Sequence, residues 1–259
     1  MVLSGSQGVR PALVTGASRG IGRVIAAALA RAGFAVAVNY RASELEAQRL
    51  VESVEASGGT AIAIQADISD PAQAIELLCA AEEALGPLHV VVSNAGATRD
   101  RLLVQMTGDD WDAMWSTNLA GARALMRRAA AGMCQRGGGR IVSVGSVVGS
   151  AGNAGQANYA AAKAALLGLT RELAVSVAGC GVTVNCVVPG YIVTDATAHL
   201  TKEQRDQWLG LIPMRRYATP DEVASLVVFL AGDGAAYITG QCIAVDGGLL
   251  ALRGAGVAS

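Results

Sequence analysis

Aromatic side chains are scarce in this 259-residue chain: two Phe, three Trp and five Tyr, 4% in all. A core of such a chain has to be built from aliphatic residues and alanine. Histidine is scarcer still, with two in the whole sequence, and the five cysteines (Cys79, Cys134, Cys180, Cys186 and Cys242) show no Cys-x-x-Cys spacing. That pattern predicts no metal site and no disulfide framework. Charged residues make up 16% and the formal net charge is −1. Without a basic surplus, nucleic acid and anionic membrane are excluded as the main partner. Apolar runs such as Val24–Ala30 fall far short of the ~20 residues that cross a bilayer. The first residues, MVLSGSQGVR, lack the basic-then-apolar order of a signal peptide. These absences lead us to expect a soluble, reduced, cytoplasmic protein.

What the chain does have is apolar residues, 52% of the total, and 32 glycines. Short continuous apolar runs alternate with helical stretches. Strands are expected at Ala12–Thr15, Phe34–Asn39, Ala61–Ala66, Leu88–Ser93, Arg140–Val144, Val182–Val188 and Gln241–Val245. Helices are expected at Ile21–Ala32, Ser43–Ser57, Pro71–Leu85, Asp109–Arg136, Ala157–Ala178 and Thr219–Gly232. Runs that do not alternate are those of strands covered on both faces. Strict βαβ alternation then implies a single α/β domain over residues 1–259, a Rossmann-type doubly wound parallel sheet of about seven strands with helices on both faces.

The stretch Gly145–Lys163 concentrates the chemistry. Tyr159 and Lys163 are four apart, hence on one face if the segment is helical. Ser146 follows the strand-like IVSVG and stands where that strand ends. A free tyrosine has a pKa near ~10, and a cation one turn away favours its phenolate. Ser146 can hydrogen-bond the same substrate oxygen. Such a trio suits proton transfer to or from an oxygen.

A nucleotide site is expected at the turn after the first strand, TGASRGIG, where Gly16, Ser18, Arg19, Gly20, Ile21 and Gly22 lead into a helix N-terminus. The second strand ends in Asn39-Tyr40-Arg41 with no acidic residue before Glu44 to bind ribose hydroxyls. Arg41 and Arg19 can instead pair with a 2′-phosphate, which favours NADPH, or be plain surface arginines. Asp67, followed by Ile68, is placed to meet adenine or else to cap the next helix. Asn94, Ala95 and Gly96 end the fourth strand with room for a flat adenosine. Pro189 and Gly190 end the sixth, with Ile192 and Thr194 in reach of a nicotinamide amide.

In order and spacing, TGASRGIG at 15–22, NAG at 94–96, Asn118, Ser146, Tyr159-x-x-x-Lys163 and Pro189-Gly190 resemble the short-chain dehydrogenase/reductase family. The stretches NAGATRDRLL (94–103), GSVVGSAGNAGQANYAAAKAAL (145–166), VVPGYIVTD (187–195) and AAYITGQ (235–241) are most similar to its β-ketoacyl-(acyl-carrier-protein) reductases. The resemblance implies that Tyr159 protonates a ketone oxygen as NADPH delivers hydride. Lys163 would hold the nicotinamide ribose and depress the tyrosine pKa, Ser146 would orient the ketone, and Asn118 would hold a water that resupplies the proton. It also implies an acyl carrier protein as partner and a homotetramer with the helices at 109–136 and 157–178 in one interface, where Ala161, Ala165 and Gly168 permit close packing.

Departures from the pattern limit these expectations. His89 and Ser93 stand where relatives often carry Asp and Asn, with structural consequences expected. Gly137 and Cys180 fall where carrier-protein reductases have docking arginines, and Arg136 is the neighbouring substitute. Residues 191–218, with Leu200, Trp208, Leu211, Ile212 and Met214, are either a lid over an acyl chain or an amphipathic helix packed on the body. A polyketide or polyene pathway fits as well as fatty acid synthesis. Alternatives are a reductase of acetoacetyl-CoA or another small ketone, and a non-catalytic partner subunit.

Overall fold

The computed structural model describes residues 9–193 and 201–254. Among them, seven parallel strands form one sheet in the order β3-β2-β1-β4-β5-β6-β7. In chain order they are β1 (Arg10–Val14), β2 (Phe34–Tyr40), β3 (Thr60–Gln65), β4 (Val90–Ser93), β5 (Gly139–Val144), β6 (Val182–Pro189) and β7 (Cys242–Val245). The order turns back between β1 and β4, so the carboxyl ends of those two strands diverge from one crevice, the place where such sheets bind ligands.

Successive strand residues point to opposite faces, and both faces are apolar. Ala12, Val14, Val36, Val38, Val90 and Val92 pack under α1 (Gly20–Arg31), α2 (Glu44–Ala56) and the later helix Pro220–Ala231. Leu13, Ala37, Val91 and Ile141 pack on the other face under α3 (Pro71–Leu85) and the helices that follow it. Those are α4 (Gly108–Trp115), α5 (Gly121–Gln135), the short α6 (Val148–Ala151) and α7 (Ala157–Val177). The chain continues through α8 (Lys202–Leu211), α9 (Pro220–Ala231) and α10 (Leu249–Gly254). Leu125 and Met126 of α5 are fully buried. Each such side chain contributes about 1.5–3 kcal/mol on transfer from water.

The expected helix 109–136 is in fact two helices joined by a π-helical turn, Ser116–Ala120. Gly121 explains how α5 comes so near the sheet edge: a Cβ there would collide with the Ile68 carbonyl. Asp70, not Asp67, caps α3, accepting from the Ala72 amide at 2.8 Å, with Pro71 in the first turn. His89, at the amino end of β4, lies away from the carboxyl-end crevice, and burial followed by the charge of Arg10 holds its imidazole below the ordinary value.

Candidate active site

The glycine turn between β1 and α1 is held from below. Asn39 is 1% exposed, accepts the Gly16 amide at 3.0 Å, and donates to the carbonyls of Tyr40, Ile64 and Ala66. Its amide is therefore committed to supporting the loop, which corrects the expectation that this side chain meets a nucleotide. Thr15, which sequence reasoning quoted but gave no role, is also buried, and its hydroxyl accepts the amides of Asn94 at 2.9 Å and Ala95 at 3.0 Å. Asn94 returns a bond to the Thr15 carbonyl at 2.9 Å. These bonds tie the ends of β1 and β4 together.

Above that frame the backbone is shaped for an anion. Gly16 and Gly20 have φ of +62° and +56°, in the region glycine alone adopts freely. A Cβ on Gly22 would strike the Asn94 side chain and the Gly16 carbonyl. Arg19 stands at the N-cap of α1 in extended backbone with no capping side-chain bond, and the first turn carries no acidic residue. The amides of Gly20, Ile21 and Gly22 thus meet a positive helix end free of a side-chain cap, which fits a pyrophosphate. Ser18 is buried beside them.

At the adenosine end, Arg41 is two-thirds exposed and its guanidinium stands 3.9 Å from the Asp67 carboxylate. Asp67 accepts the Ser69 amide and hydroxyl at 2.9 and 2.7 Å. Burial pushes its carboxyl up, but these bonds and Arg41 outweigh it and hold the group below the usual value. Ile68, expected to line the nucleotide, turns its side chain into the core at 5% exposure, and its carbonyl packs against Gly121.

Ser146, Tyr159 and Lys163 come together at the ends of β4 and β5. Lys163 is 3% exposed, donates to the Val144 carbonyl at 2.9 Å and lies 5.7 Å from the centre of the Tyr159 ring. Ser146 begins the turn after β5, and its hydroxyl accepts the Val148 amide at 3.2 Å. A Cβ on Gly149 would come within 2.8 Å of the Lys163 backbone, so that turn is pressed onto α7. A Cβ on Gly96 would stand 2.7 Å from Asn118 Oδ1 and 3.5 Å from Lys163 Nζ, so these two side chains converge on the exposed face of that glycine. Pro189 accepts the Val147 amide at 3.0 Å, and Gly190 leaves no room for a Cβ against Asp246. Ile192 is buried and bridges to Ala218; Thr194 lies outside the described residues.

Residues 16–250 match a family model described as enoyl-(acyl carrier protein) reductase. A solved structure from Sinorhizobium meliloti 1021, assigned to the short-chain alcohol dehydrogenases, superposes with a TM-score of 0.90 at 40% identity, covering 95% of this chain and 98% of that one. The 3-oxoacyl-(acyl-carrier-protein) reductase FabG of Staphylococcus aureus (strain N315) is 45% identical over 93% of this chain and 98% of its own length. That of Pseudomonas aeruginosa is 46% identical over 92% and 96%.

The chain belongs to the short-chain dehydrogenase/reductase family. It is accordingly an oxidoreductase of a ketone–alcohol pair with a nicotinamide cofactor. Burial pushes the Tyr159 phenol up, opposed by a Ser146 hydrogen bond, with Asp100 adding to the rise. Burial also lowers Lys163 to about 8.

Two buried polar residues escaped the sequence reading. Asn158, 1% exposed, donates to the carbonyls of Asp110 at 2.9 Å and Arg99 at 3.3 Å and accepts the Tyr159 amide. Asp110, buried, pairs with Arg99 at 3.3 Å and Arg101 at 2.9 Å and closes a capping box with Thr107. The Thr-x-x-Asp spacing was the readable signal for the second. Asn118 is engaged with backbone, donating to Ala97 and Met114 carbonyls and accepting the Ala97 amide. Arg136, the expected docking substitute, is instead paired with Glu82 at 3.2 Å and donates to the Leu88 carbonyl.

Proposed function

We propose that this reductase converts a β-ketoacyl thioester to the β-hydroxyacyl thioester with NADPH. The observation that carries the reading is the convergence of Ser146, Tyr159, Lys163 and Asn118 beside the glycine turn, on a chain that shares 45% identity with curated 3-oxoacyl-(acyl-carrier-protein) reductases. A bound nicotinamide would supply hydride to the carbonyl carbon. Tyr159 gives its phenolic proton to the carbonyl oxygen, and Ser146 hydrogen-bonds the same oxygen and fixes its direction. Lys163 holds ribose hydroxyls and stabilises the phenolate left behind. Asn118, in the π turn and converging with Lys163 on Gly96, holds the water that resupplies the proton. Gly16, Ser18, Arg19, Gly20, Ile21 and Gly22 hold the pyrophosphate, Arg41 the 2′-phosphate, and Asn94, Ala95, Gly96, Pro189 and Gly190 line the nucleosides.

The reading extends to an acyl carrier protein as donor of the substrate, to a homotetramer, and to the cytoplasm. Val175 on α7 is 84% exposed and a Cβ on Gly168 would meet nothing, which leaves that helix free for a second copy. No helix among the described residues is long and apolar enough to cross a membrane. Trp208 of α8 lies against Tyr191, ring centres 4.7 Å apart, and Ile212 is buried, while Leu211 and Met214 are exposed, which supports reading the residues after β6 as a cover for an acyl chain.

The test is NADPH oxidation with one β-ketoacyl chain presented on carrier protein and on coenzyme A, with NADH as control. Turnover with NADPH and a carrier preference supports the full reading. Because Arg136 is committed to Glu82, a preference for coenzyme A has a specific structural ground, and that result would replace the carrier. No turnover on either thioester, with cofactor bound, would overturn the reading.

A further inference from the structure

Beneath the catalytic groups lie two thiols that the reaction does not use. Ser143, Cys186 and Cys242 stand in register on β5, β6 and β7, side by side on one face of the sheet. Adjacent strands run about 4.8 Å apart, inside the about 4.4–6.8 Å Cα separation that a disulfide spans. The Cys186 thiol donates to the Val187 carbonyl at 3.5 Å. Cys186 is fully buried, and a Cβ on Gly145, the residue before Ser146, would stand 2.9 Å from its sulphur. Its thiol also interacts with the Lys163 charge. Cys242 is partly exposed, and its sulphur lies 4.0 Å from the Leu167 carbonyl, one turn beyond Lys163 on α7.

We propose that Cys186 and Cys242 are a peroxide-sensitive dithiol, which closes into a disulfide under Ser146 and Lys163 and reversibly slows turnover. Their reactivities are divided as such a pair requires. The neighbouring Cys186, then the charge of Arg171, brings the Cys242 thiol down to about 7 against the cost of its burial. Cys186 is pushed up, first by Cys242 and then by burial. The partly exposed thiolate is thus the nucleophile and the buried thiol the resolving group.

Attack of the Cys242 thiolate on hydrogen peroxide forms an S–O bond, breaks the O–O bond and releases hydroxide, leaving a sulfenic acid. Cys186 then attacks that sulphur, the S–S bond forms, and its proton leaves with the hydroxyl as water. The Cys186 sulphur is drawn towards β7, away from Gly145 and Lys163. A displacement of the catalytic floor near 1 Å is enough to cost about tenfold or more in turnover.

The experiment uses the full, reduced chain treated with hydrogen peroxide, alkylated and digested. The expected product is a peptide joining Cys186 to Cys242, lighter by two hydrogens than its two parts, with turnover down about tenfold or more and restored by dithiothreitol. Cys242→Ser should keep basal turnover and lose both the link and the peroxide effect. Cys134→Ser, in the separate Cys134–Cys180 contact, should keep both. Free Cys186 after peroxide, or a Cys242→Ser protein still inhibited to the same extent, overturns the proposal. The effect on turnover rests on the proposed reductase reading; the link is read by mass, so failure of that reading leaves the link testable.

Discussion

The ammonium of Lys163 lies 5.7 Å from the centre of the Tyr159 ring, and its hydrogen bond goes to the carbonyl of Val144. Folding opposes this charge, since burial lowers its pKa from 10.5 to about 8. Below about pH 8 the lysine is protonated in both folded and unfolded chains. Between about 8 and 10.5 the unfolded chain binds the extra proton, so stability rises with pH across that window. The full difference is roughly 3 kcal/mol. Lys163→Met should therefore be more stable than the native protein at neutral pH and lack the rise, measured by urea denaturation at neutral pH and near the top of the window. A native protein with no more gain than the variant would contradict the buried, unpaired ammonium.

Tyr159→Phe removes the phenolic hydroxyl and leaves the ring packing in place. Turnover should fall about 10²- to 10⁴-fold, the range of general acid catalysis. NADPH binding, followed by fluorescence, should be unchanged. Surviving turnover would mean that another group donates the proton.

Two glycines separate function from folding. Gly96→Ala places a methyl 2.7 Å from Asn118 Oδ1 at the exposed edge of the site. It should cost turnover about a hundredfold with little change in Tm. Gly121→Ala drives a methyl into the Ile68 carbonyl inside the core. It should destabilise by about 1–3 kcal/mol or more. Equal effects of the two on Tm would show that the Gly96 face is structural.

The strand and helix order was legible because most strands are continuous apolar runs and several helices begin or end on Gly, Pro or a capping residue. Tyr159 and Lys163 were legible because a four-residue spacing has one meaning on a helix. The π turn at Ser116–Ala120 was not, since no local preference marks it and the packing of Gly121 on Ile68 sets where α5 begins. Asn39 and Asn158 read as a ligand contact and as nothing; their amides are committed to loop carbonyls that only the fold brings near. The cysteines were scattered along the chain, yet parallel pairing sets Cys186 beside Cys242.

Asp110 is the buried anchor of the segment between β4 and α4. It holds Arg99 and Arg101, while Arg101 bonds Gly155 at 2.7 Å and Asn158 joins Arg99 to the first turn of α7. The Thr107 amide and hydroxyl bonds, then the two arginines, hold its carboxyl below the ordinary value despite burial. A depressed carboxyl contributes stability above its unfolded value, and that stability is lost as pH falls through the folded one. Asp110→Asn should flatten the acid limb of the Tm–pH curve and lower kcat more than KM for cofactor. An unchanged acid limb would remove Asp110 from this role.

Cofactor choice turns on Arg41. Its guanidinium is two-thirds exposed and 3.9 Å from Asp67, too far for a hydrogen bond, so the pairing is a weak surface contact and the cation remains available. A charge-assisted bond to a 2′-phosphate is worth about 1.5–3 kcal/mol, or roughly 10- to 100-fold in affinity. Arg41→Ala should raise the KM for NADPH by that factor and leave the KM for NADH where it was. Asp67→Asn should act in the opposite sense, since it removes a carboxylate that repels the phosphate and competes for Arg41. If Arg41→Ala weakens NADPH and NADH equally, the arginine supports the shape of the loop and the 2′-phosphate is held elsewhere, with Arg19 the next candidate.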